Sequence, residues 1–492
     1  MWSVYLSLER FELTIVSNYI KQDNVYPALF FAAFYNKMHL IEKKSQLDVD
    51  KFVFLSIIYS VKVKKEFDTM LLQFNFKNFK SFRDDTTLDL TATKISEFNN
   101  HVVSVANERV LPVTAIFGAN ASGKSNVQEA FRYMSMYVIN SLDYGDEADS
   151  KKKKSRFYKP TPFLFDNNSK TAESSFEVYF IDSEENGAKT YNYGFTVDNN
   201  GVCEEWLNYK AKSSRGDFKR IFYRNGKDYD FVGIPTKSQE NLKIALEKET
   251  LIVSLGAKLK IAKLKLIRDW FINNDFADFG RPIGNFFLSQ LIPDGFAEDE
   301  KVRQKVVDYF AAFDPSIVGF NVEVMKSEND SENEHIKIDA IHKMIDSDQT
   351  TSIPLQNESA GTLKMFALYP LLQDVLSTGG VLFIDELNAR LHPLLVRAFI
   401  ITFLNPDINT NHAQLIFTSH DSWQLNGNVL RRDEIWFAEK DFNGISNLFS
   451  LADFVDEDGV KIRKDENYEK NYLLGKYGAI PTLKDFDMFK EE

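Results

Sequence analysis

Residues Gly118-Ala119-Asn120-Ala121-Ser122-Gly123-Lys124-Ser125 fit the pattern G-x-x-x-x-G-K-[ST], and this octapeptide restricts the fold to a narrow class. A glycine-rich turn of this kind aims backbone N–H groups at phosphate and opens a helix whose positive end adds to the attraction. It requires a strand before it and a helix after it. Both are readable: Val110 to Phe117 is a short β-branched run, and Ser125 to Asn140 has the apolar spacing of an amphipathic helix. In that setting Gly118, Asn120, Ser122, Gly123, Lys124 and Ser125 are the candidate phosphate-binding residues, with Lys124 reaching the outer phosphates and Ser125 ligating Mg²⁺. The competing reading is a glycine-bearing surface turn.

Three further segments follow in order. The apolar run Val381 to Ile384 ends in Asp385-Glu386, which places both carboxylates at the carboxyl end of a strand, where parallel sheets present their ligands. Asp385 would hold Mg²⁺, mostly through water, and Glu386 would polarise an attacking water. Taken alone, the pair is equally an acidic turn after a core strand. His420 follows the apolar strand Leu415 to Phe417 and could donate to a terminal phosphate, although an isolated histidine is more often solvent-facing or satisfied in the core. Between these and the first motif lies Glu358-Ser359-Ala360-Gly361. Ser359 and Gly361 open a helix, so the hydroxyl and free N–H groups form an anion site, or else an ordinary N-cap. A chain that already has a loop for phosphates gains from a second anion site if that site covers the nucleotide of a partner subunit.

The 492 residues give room for two or three domains, and 44% apolar with 26% charged residues is a globular profile. A single cysteine, Cys203, excludes an internal disulfide and a cysteine-based zinc site, and makes the reducing cytoplasm the expected address. No segment has the ~18 uninterrupted apolar residues of a membrane-spanning helix, and Met1 to Arg10 lacks the regions of a secretory signal. No membrane partner is expected. The net charge of −12 argues against a chain that is basic all over, while a local nucleic-acid groove stays open. Lys151 to Lys154 is one basic patch, read as a solvated loop after the acidic run Asp143 to Asp149.

Residues 1–69 carry no nucleotide motif and read as an appended or misassigned leader, weakly packed on the rest. From Met70 to Phe79 apolar and polar positions alternate as in a half-buried strand; Ser81 to Asp84 turns, and Thr86 to Leu90 is a second strand. Residues 70–140 then form the first part of the nucleotide lobe. Residues 141–350 read as an inserted α+β lid. Its strands are expected at 176–181, 190–197 and 220–223, its helices at 240–252, 258–273 and 299–313, and a hairpin near 326–335. Without sustained heptads it is not a coiled-coil arm. Residues 351–492 return to the lobe: helix 362–376, strand 381–384, helix 393–404, and strands 414–417 and 434–438. This alternation implies an α/β fold, a mixed or parallel sheet with helices on both faces.

In that order the motifs resemble the ABC-type ATPases of the SMC, Rad and RecF kind, and more narrowly the stand-alone bacterial ATPases related to RloA, AbiL and the overcoming-lysogenization-defect proteins. The resemblance covers about residues 70–480 and is strongest at Phe76 to Phe82, at the glycine-rich loop and from Glu358 to Asp421. Tyr472 to Pro481 is similar to the closing segment of such proteins. Carried over, Gly118, Asn120, Gly123, Lys124 and Ser125 match the Walker A loop, and Asp385 and Glu386 match Walker B with its catalytic glutamate. Ser359 and Gly361 match the signature that acts across a dimer, Asn388 to His392 the D-loop, and His420 the switch histidine. Two features depart from the pattern: no glutamine stands convincingly in the Q-loop position, and the stretch after His420 is too short for an appended Toprim nuclease.

The resemblance implies an ATP- and Mg²⁺-dependent hydrolase that dimerises around nucleotide as a switch, in phage defence or nucleic-acid surveillance beside a separate effector protein. The alternatives are a non-hydrolysing ATP-dependent scaffold and a DNA-repair-type clamp. The motor subunit of a membrane transporter is disfavoured, because the stretch from Ser125 to Ser359 is far longer than such subunits place there.

Overall fold

The computed structural model describes residues 69–481 apart from 145–158, 185–186, 213, 215, 290, 328–329, 426–428, 457–458 and 460. The expected leader, except Thr69, and the Lys151 to Lys154 patch lie outside the described residues. The described chain forms two compact units, a smaller one of residues 286–371 and a larger one of residues 69–285 and 372–481.

In chain order the larger unit contains β1 (Thr69–Lys77), β2 (Thr86–Asp89), β3 (Val103–Val105), β4 (Glu108–Val110), β5 (Val113–Phe117), α1 (Lys124–Asn140), β6 (Ser174–Glu184), β7 (Gly187–Asp198), β8 (Gly201–Ala211), β9 (Lys219–Asn225), β10 (Asp228–Phe231), α2 (Thr236–Ala245), α3 (Ile252–Lys258), α4 (Ala262–Ile272) and β11 (Asp275–Asp278). After α5 (Pro282–Leu288) come α6 (Glu300–Ala311), β12 (Ile317–Ser327), β13 (Asp330–Lys343), β14 (Thr350–Pro354) and α7 (Ala360–Thr378). The larger unit resumes with β15 (Val381–Asp385), α8 (Pro393–Leu404), β16 (Gln414–Ser419), β17 (Ile435–Lys440), β18 (Ser446–Ser450) and α9 (Tyr468–Leu473).

Two sheets build the larger unit. One has six strands in the order β11-β15-β16-β5-β17-β18, parallel throughout except for β18. Its central strands are buried along their whole length, which is why Val113–Phe117 and Val381–Asp385 read as unbroken apolar runs rather than alternating ones. The other is a seven-stranded antiparallel sheet in the order β10-β9-β8-β7-β6-β1-β2. Strands from the span expected as one insertion thus extend the sheet begun by β1 and β2, and β11 from the same span joins the parallel sheet. Helix α1 bridges the two sheets. The Phe131 ring meets Phe74 of β1 at 5.1 Å between centroids and, on the parallel sheet, Phe276 at 5.8 Å and Phe383 at 6.4 Å. Gln128 on the same helix donates from Nε2 to Ala277 O (2.9 Å) and Phe383 O (2.8 Å), stapling β11 to β15.

A single helix over 240–252 does not form; α2 ends at Ala245 and α3 begins at Ile252. The cause is a buried charge pair from facing positions of β8 and β9. Arg224 donates to Thr250 O at 2.7 Å and to Lys248 O at 3.3 Å, while Glu205 accepts from Ile252 N (2.7 Å) and Val253 N (3.1 Å). Side chains that capture these backbone groups leave no partners for a continuous helical ladder. The same buried Glu205 breaks the apolar alternation of Gly201–Ala211, which hid β8 from the sequence reading.

The smaller unit packs α6 and the start of α7 with an antiparallel sheet in the order β12-β13-β14. Phe296 meets Phe320 and Phe366 at 5.4 Å each, and Phe310 meets Phe320 at 5.8 Å. Asp299 caps α6, its carboxylate accepting from Lys301 N at 2.8 Å.

Two stability predictions follow from buried polar groups. Gln414 completes the backbone at the bulge in β1: its Oε1 accepts from Leu71 N (2.6 Å), and its Nε2 donates to Leu71 O (2.9 Å) and Leu111 O (3.1 Å). Gln414→Leu strands these three groups and should cost about 3 kcal/mol or more in a denaturant titration. Burial pushes the Glu205 carboxyl up to about 7, against the opposing pull of Arg224 and the two backbone N–H groups. A raised folded value means that the contribution is fully present below the unfolded value and is lost as pH rises through 7. The melting temperature of the wild type relative to Glu205→Gln should therefore fall between pH 5 and pH 8.

Candidate nucleotide site

The glycine-rich loop leaves β5 through backbone conformations that side chains resist. Gly118 has φ +152° and Gly123 φ +111°; a Cβ on Gly118 would stand 2.3 Å from Ala438 O, and one on Gly123 would stand 2.5 Å from Ser446 Oγ. The close approach is fixed by hydroxyls. Ser446 Oγ donates to Ser122 O at 2.7 Å and lies 2.7 Å from Ser81 Oγ, which accepts from Asn126 Nδ2 at 2.7 Å. From the other side Ala119 N donates to Ala479 O at 2.8 Å, so the closing segment Tyr472 to Pro481 braces the loop. Asn120 is exposed on the loop, whereas the Ser122 hydroxyl is buried and makes no hydrogen bond among the described residues. Lys124, 5% exposed, closes back on the loop and donates to Gly118 O (2.8 Å) and Ala119 O (3.0 Å). Burial holds its ammonium below the ordinary lysine value, opposed by the charges of Glu386 and Asp385.

The carboxyl ends of β15 and β16 supply the acids. Asp385, 3% exposed, accepts from Thr418 Oγ1 at 2.5 Å and is hydrogen-bonded by Ser125. Burial pushes its carboxyl up to about 6, with the neighbouring charges of Asp278 and Glu386 adding to the rise. Thr418 Oγ1 also accepts from Glu386 N at 2.9 Å. That bond helps hold Glu386 at φ +55°, a left-handed turn that directs the chain away from the strand. Glu386 Oε2 then meets His420 Nδ1 at 2.6 Å, and Asn388 Nδ2 lies 3.2 Å from His420 Nε2. A carboxylate can only accept, so the contact with Glu386 assigns a ring proton to Nδ1, while Asn388 Nδ2 stands nearly equidistant from both ring nitrogens.

The structure therefore brings Gly118, Ser122, Gly123, Lys124, Ser125, Asp385, Glu386 and His420 together at the carboxyl ends of β5, β15 and β16. Ser359 and Gly361 belong to the smaller unit, at the start of α7, where Ser359 Oγ accepts from Thr362 N at 3.1 Å in an N-cap arrangement. In the segment Asn388 to His392, Asn388 is buried beside His420 and His392 caps α8, accepting from Leu394 N.

Sequence reasoning missed Asp278. It ends β11 in register with Asp385, is 5% exposed, and accepts from Arg281 N at 3.1 Å. Phe279 N donates to Asp385 O at 3.1 Å, and a Cβ on Gly280 would stand 3.1 Å from Asp385 Oδ2, so this strand end lies directly against the Asp385 carboxylate. The only signal was an acid after the two-residue apolar step Phe276-Ala277, too short to register as a strand. Ser81, Asn126 and Ser446 gave no signal at all, because each comes from a different part of the chain.

A strand, glycine loop and helix followed by acids at the end of a parallel strand define the class as a P-loop NTPase. The chain belongs to the family described as "AAA domain, putative AbiEii toxin, Type IV TA system", whose model matches residues 113–422. Among solved structures, one titled "Crystal structure of the SmcHead bound to the C-winged helix domain of ScpA" is similar over 77% of this chain and 97% of that chain, with 14% identity and a TM-score of 0.35. No match is found among the curated proteins. Among the described residues no helix is long and apolar enough to cross a membrane.

Thr418 serves both acids at once. Thr418→Val should destabilise the fold by about 2 kcal/mol, because it leaves a buried carboxylate oxygen and the Glu386 N–H without their partner, while Thr418→Ser should stay close to wild type in the same thermal melt.

Proposed function

We propose that the chain binds and hydrolyses ATP, and that ATP closes two copies of it into a dimer acting as a switch. The observation that carries hydrolysis is the Glu386 carboxylate held 2.6 Å from His420 on the turn directly after the buried Asp385. Glu386 is placed to accept a proton from water, and the histidine orients it. This pair favours turnover over a scaffold that only holds nucleotide.

Ser125 and Asp385 fit Mg²⁺: the hydroxyl and the buried carboxylate already share a hydrogen bond, and both are hard oxygen donors. Asp278 lies beside them as a further acid. Among the described residues no group of three or more His, Cys, Asp or Glu is arranged as a metal site of its own, so Mg²⁺ held by Ser125 and Asp385 would need further oxygen donors from phosphate and water. The bound ion supplies charge neutralisation for phosphoryl transfer. Lys124 exchanges its two bonds to loop carbonyls for bonds to phosphate, and the loop N–H groups and the Ser122 hydroxyl provide the remaining donors.

Ser359, exposed at the amino end of α7, and Gly361 behind it supply donors to the nucleotide of the second copy. Each site then needs both chains, so ATP binding stabilises the dimer and hydrolysis releases it. The reading further places the protein in the cytoplasm, grouped with the RloA and AbiL type, in phage defence or nucleic-acid surveillance with a separate effector protein.

Steady-state phosphate release tests the core of this reading. Wild type should turn over with Mg-ATP; Glu386→Gln should fall by about 100-fold or more while still binding ATP. Lys124→Ala should lose nucleotide binding altogether. A Glu386→Gln protein that hydrolyses at the wild-type rate contradicts the assignment.

A further inference from the structure

Ser359 is preceded by a carboxylate that is tied into the sheet of the smaller unit. Glu358 Oε1 lies 2.8 Å from His342 Nε2, with side-chain exposures of 9% and 14%. His342 sits near the end of β13, opposite Ile317 of β12 and Thr351 of β14. Its other nitrogen, Nδ1, lies 3.1 Å from Ser316 Oγ, and Ser316 Oγ lies 2.6 Å from Asp314 Oδ1. The Asp314 carboxylate only accepts, so the one hydroxyl proton of Ser316 goes to it, and the Glu358 carboxylate accepts from Nε2. The imidazole thus stands between Glu358, which follows β14, and the Ser316–Asp314 pair, which precedes β12.

Glu358 is also the joint of the backbone. Its N–H donates to Leu355 O at 3.0 Å, closing the short 3-10 turn Leu355–Asn357, and its own conformation is extended at φ −67° and ψ 166°. The next carbonyl, Ser359 O, accepts from Leu363 N at 2.9 Å and starts the helical ladder. Two residues, Glu358 and Ser359, therefore separate the turn from the helix, and the side chain of the first is fixed to β13. Without that anchor Ser359 keeps its local cap on Thr362 and α7 keeps its packing through Phe366 on Phe296 and Phe320, but the two backbone angles of Glu358 lose the side-chain tie that fixes them to the sheet.

We propose that His342 is a positioning residue for Ser359 and Gly361: by holding Glu358 it fixes the segment that reaches the nucleotide of a second copy of this chain. The inference rests on the dimer reading above. It makes the three-stranded sheet the base from which the segment is presented, and it separates presentation from nucleotide capture within one chain, which uses the glycine loop with Ser125 and Asp385.

The test uses the full chain carrying Glu386→Gln, in which ATP persists, with self-association followed by light scattering in Mg-ATP and capture by a fluorescent ATP analogue. Adding His342→Ala should weaken association by about tenfold or more and leave analogue affinity within about twofold. Glu358→Leu, which keeps the bulk of the side chain but removes the acceptor, should weaken association in the same way, and the double variant should be no worse than the stronger single one, as required if the two act as one unit. His342→Gln, which retains one donor toward Glu358, should recover part of the loss. Association unchanged by His342→Ala overturns the proposal, as does strict additivity of the two substitutions or an equal loss of analogue binding. Failure of the Glu386→Gln parent itself to associate in Mg-ATP overturns the dimer reading, and the role of His342 with it.

Discussion

The buried carboxylate of Asp385 is the constraint around which the larger unit is organised. A carboxylate at 3% exposure is costly to ionise, and its pKa, raised to about 6, expresses that cost. Besides Ser125 from α1, Thr418 reaches it because β15 and β16 are parallel and in register, with Ile384 opposite Phe417, so that Thr418 follows beside Asp385. The same hydroxyl receives the Glu386 N–H and so couples the Asp385 carboxylate to the Glu386 turn. Moving either strand by one residue would turn each side chain to the opposite face and separate the pair.

That register is secured from outside the sheet. Helix α1 carries Lys124 and Ser125 at its start, and deeper along its length Gln128 clamps β11 to β15 and Phe131 fills the space between the two sheets. Gln414, at the first position of β16, bonds the backbone of β1. The amino end of the helix is thus fixed by packing some distance from the loop, which itself adopts positive φ at Gly118 and Gly123. The role of the antiparallel sheet is mechanical: it provides the second wall against which α1 is held.

Much of this was legible in the residues, and what was not has identifiable causes. The helix Pro393–Leu404 was read with its exact bounds because proline at the first position and an apolar face mark it. The strands before the loop and before Asp385 were clear because burial on both faces requires unbroken apolar runs. Asp278 escaped because β11 has only four residues, two of them acidic. The break between α2 and α3 escaped because its cause, Arg224 with Glu205, lies on two other strands. Glu358 was quoted for its place beside Ser359, yet its tie to His342 depends on β13 returning next to the 3-10 turn, a contact that spacing alone does not reveal. Local chemistry was readable; the convergence of distant polar groups was not.

The central claim is that each nucleotide is shared by two chains, and mixing two inactive variants tests it most directly. A Lys124→Ala chain lacks a working loop, and a Ser359→Arg chain lacks a working cap. Each alone should release no phosphate. In a mixed dimer one site pairs the intact loop of one chain with the intact Ser359 of the other, so an equal mixture should recover about a quarter of wild-type turnover, given two equivalent sites related by two-fold symmetry. If the mixture stays as inactive as its components while the two chains demonstrably associate, the sites are not shared and the account is wrong.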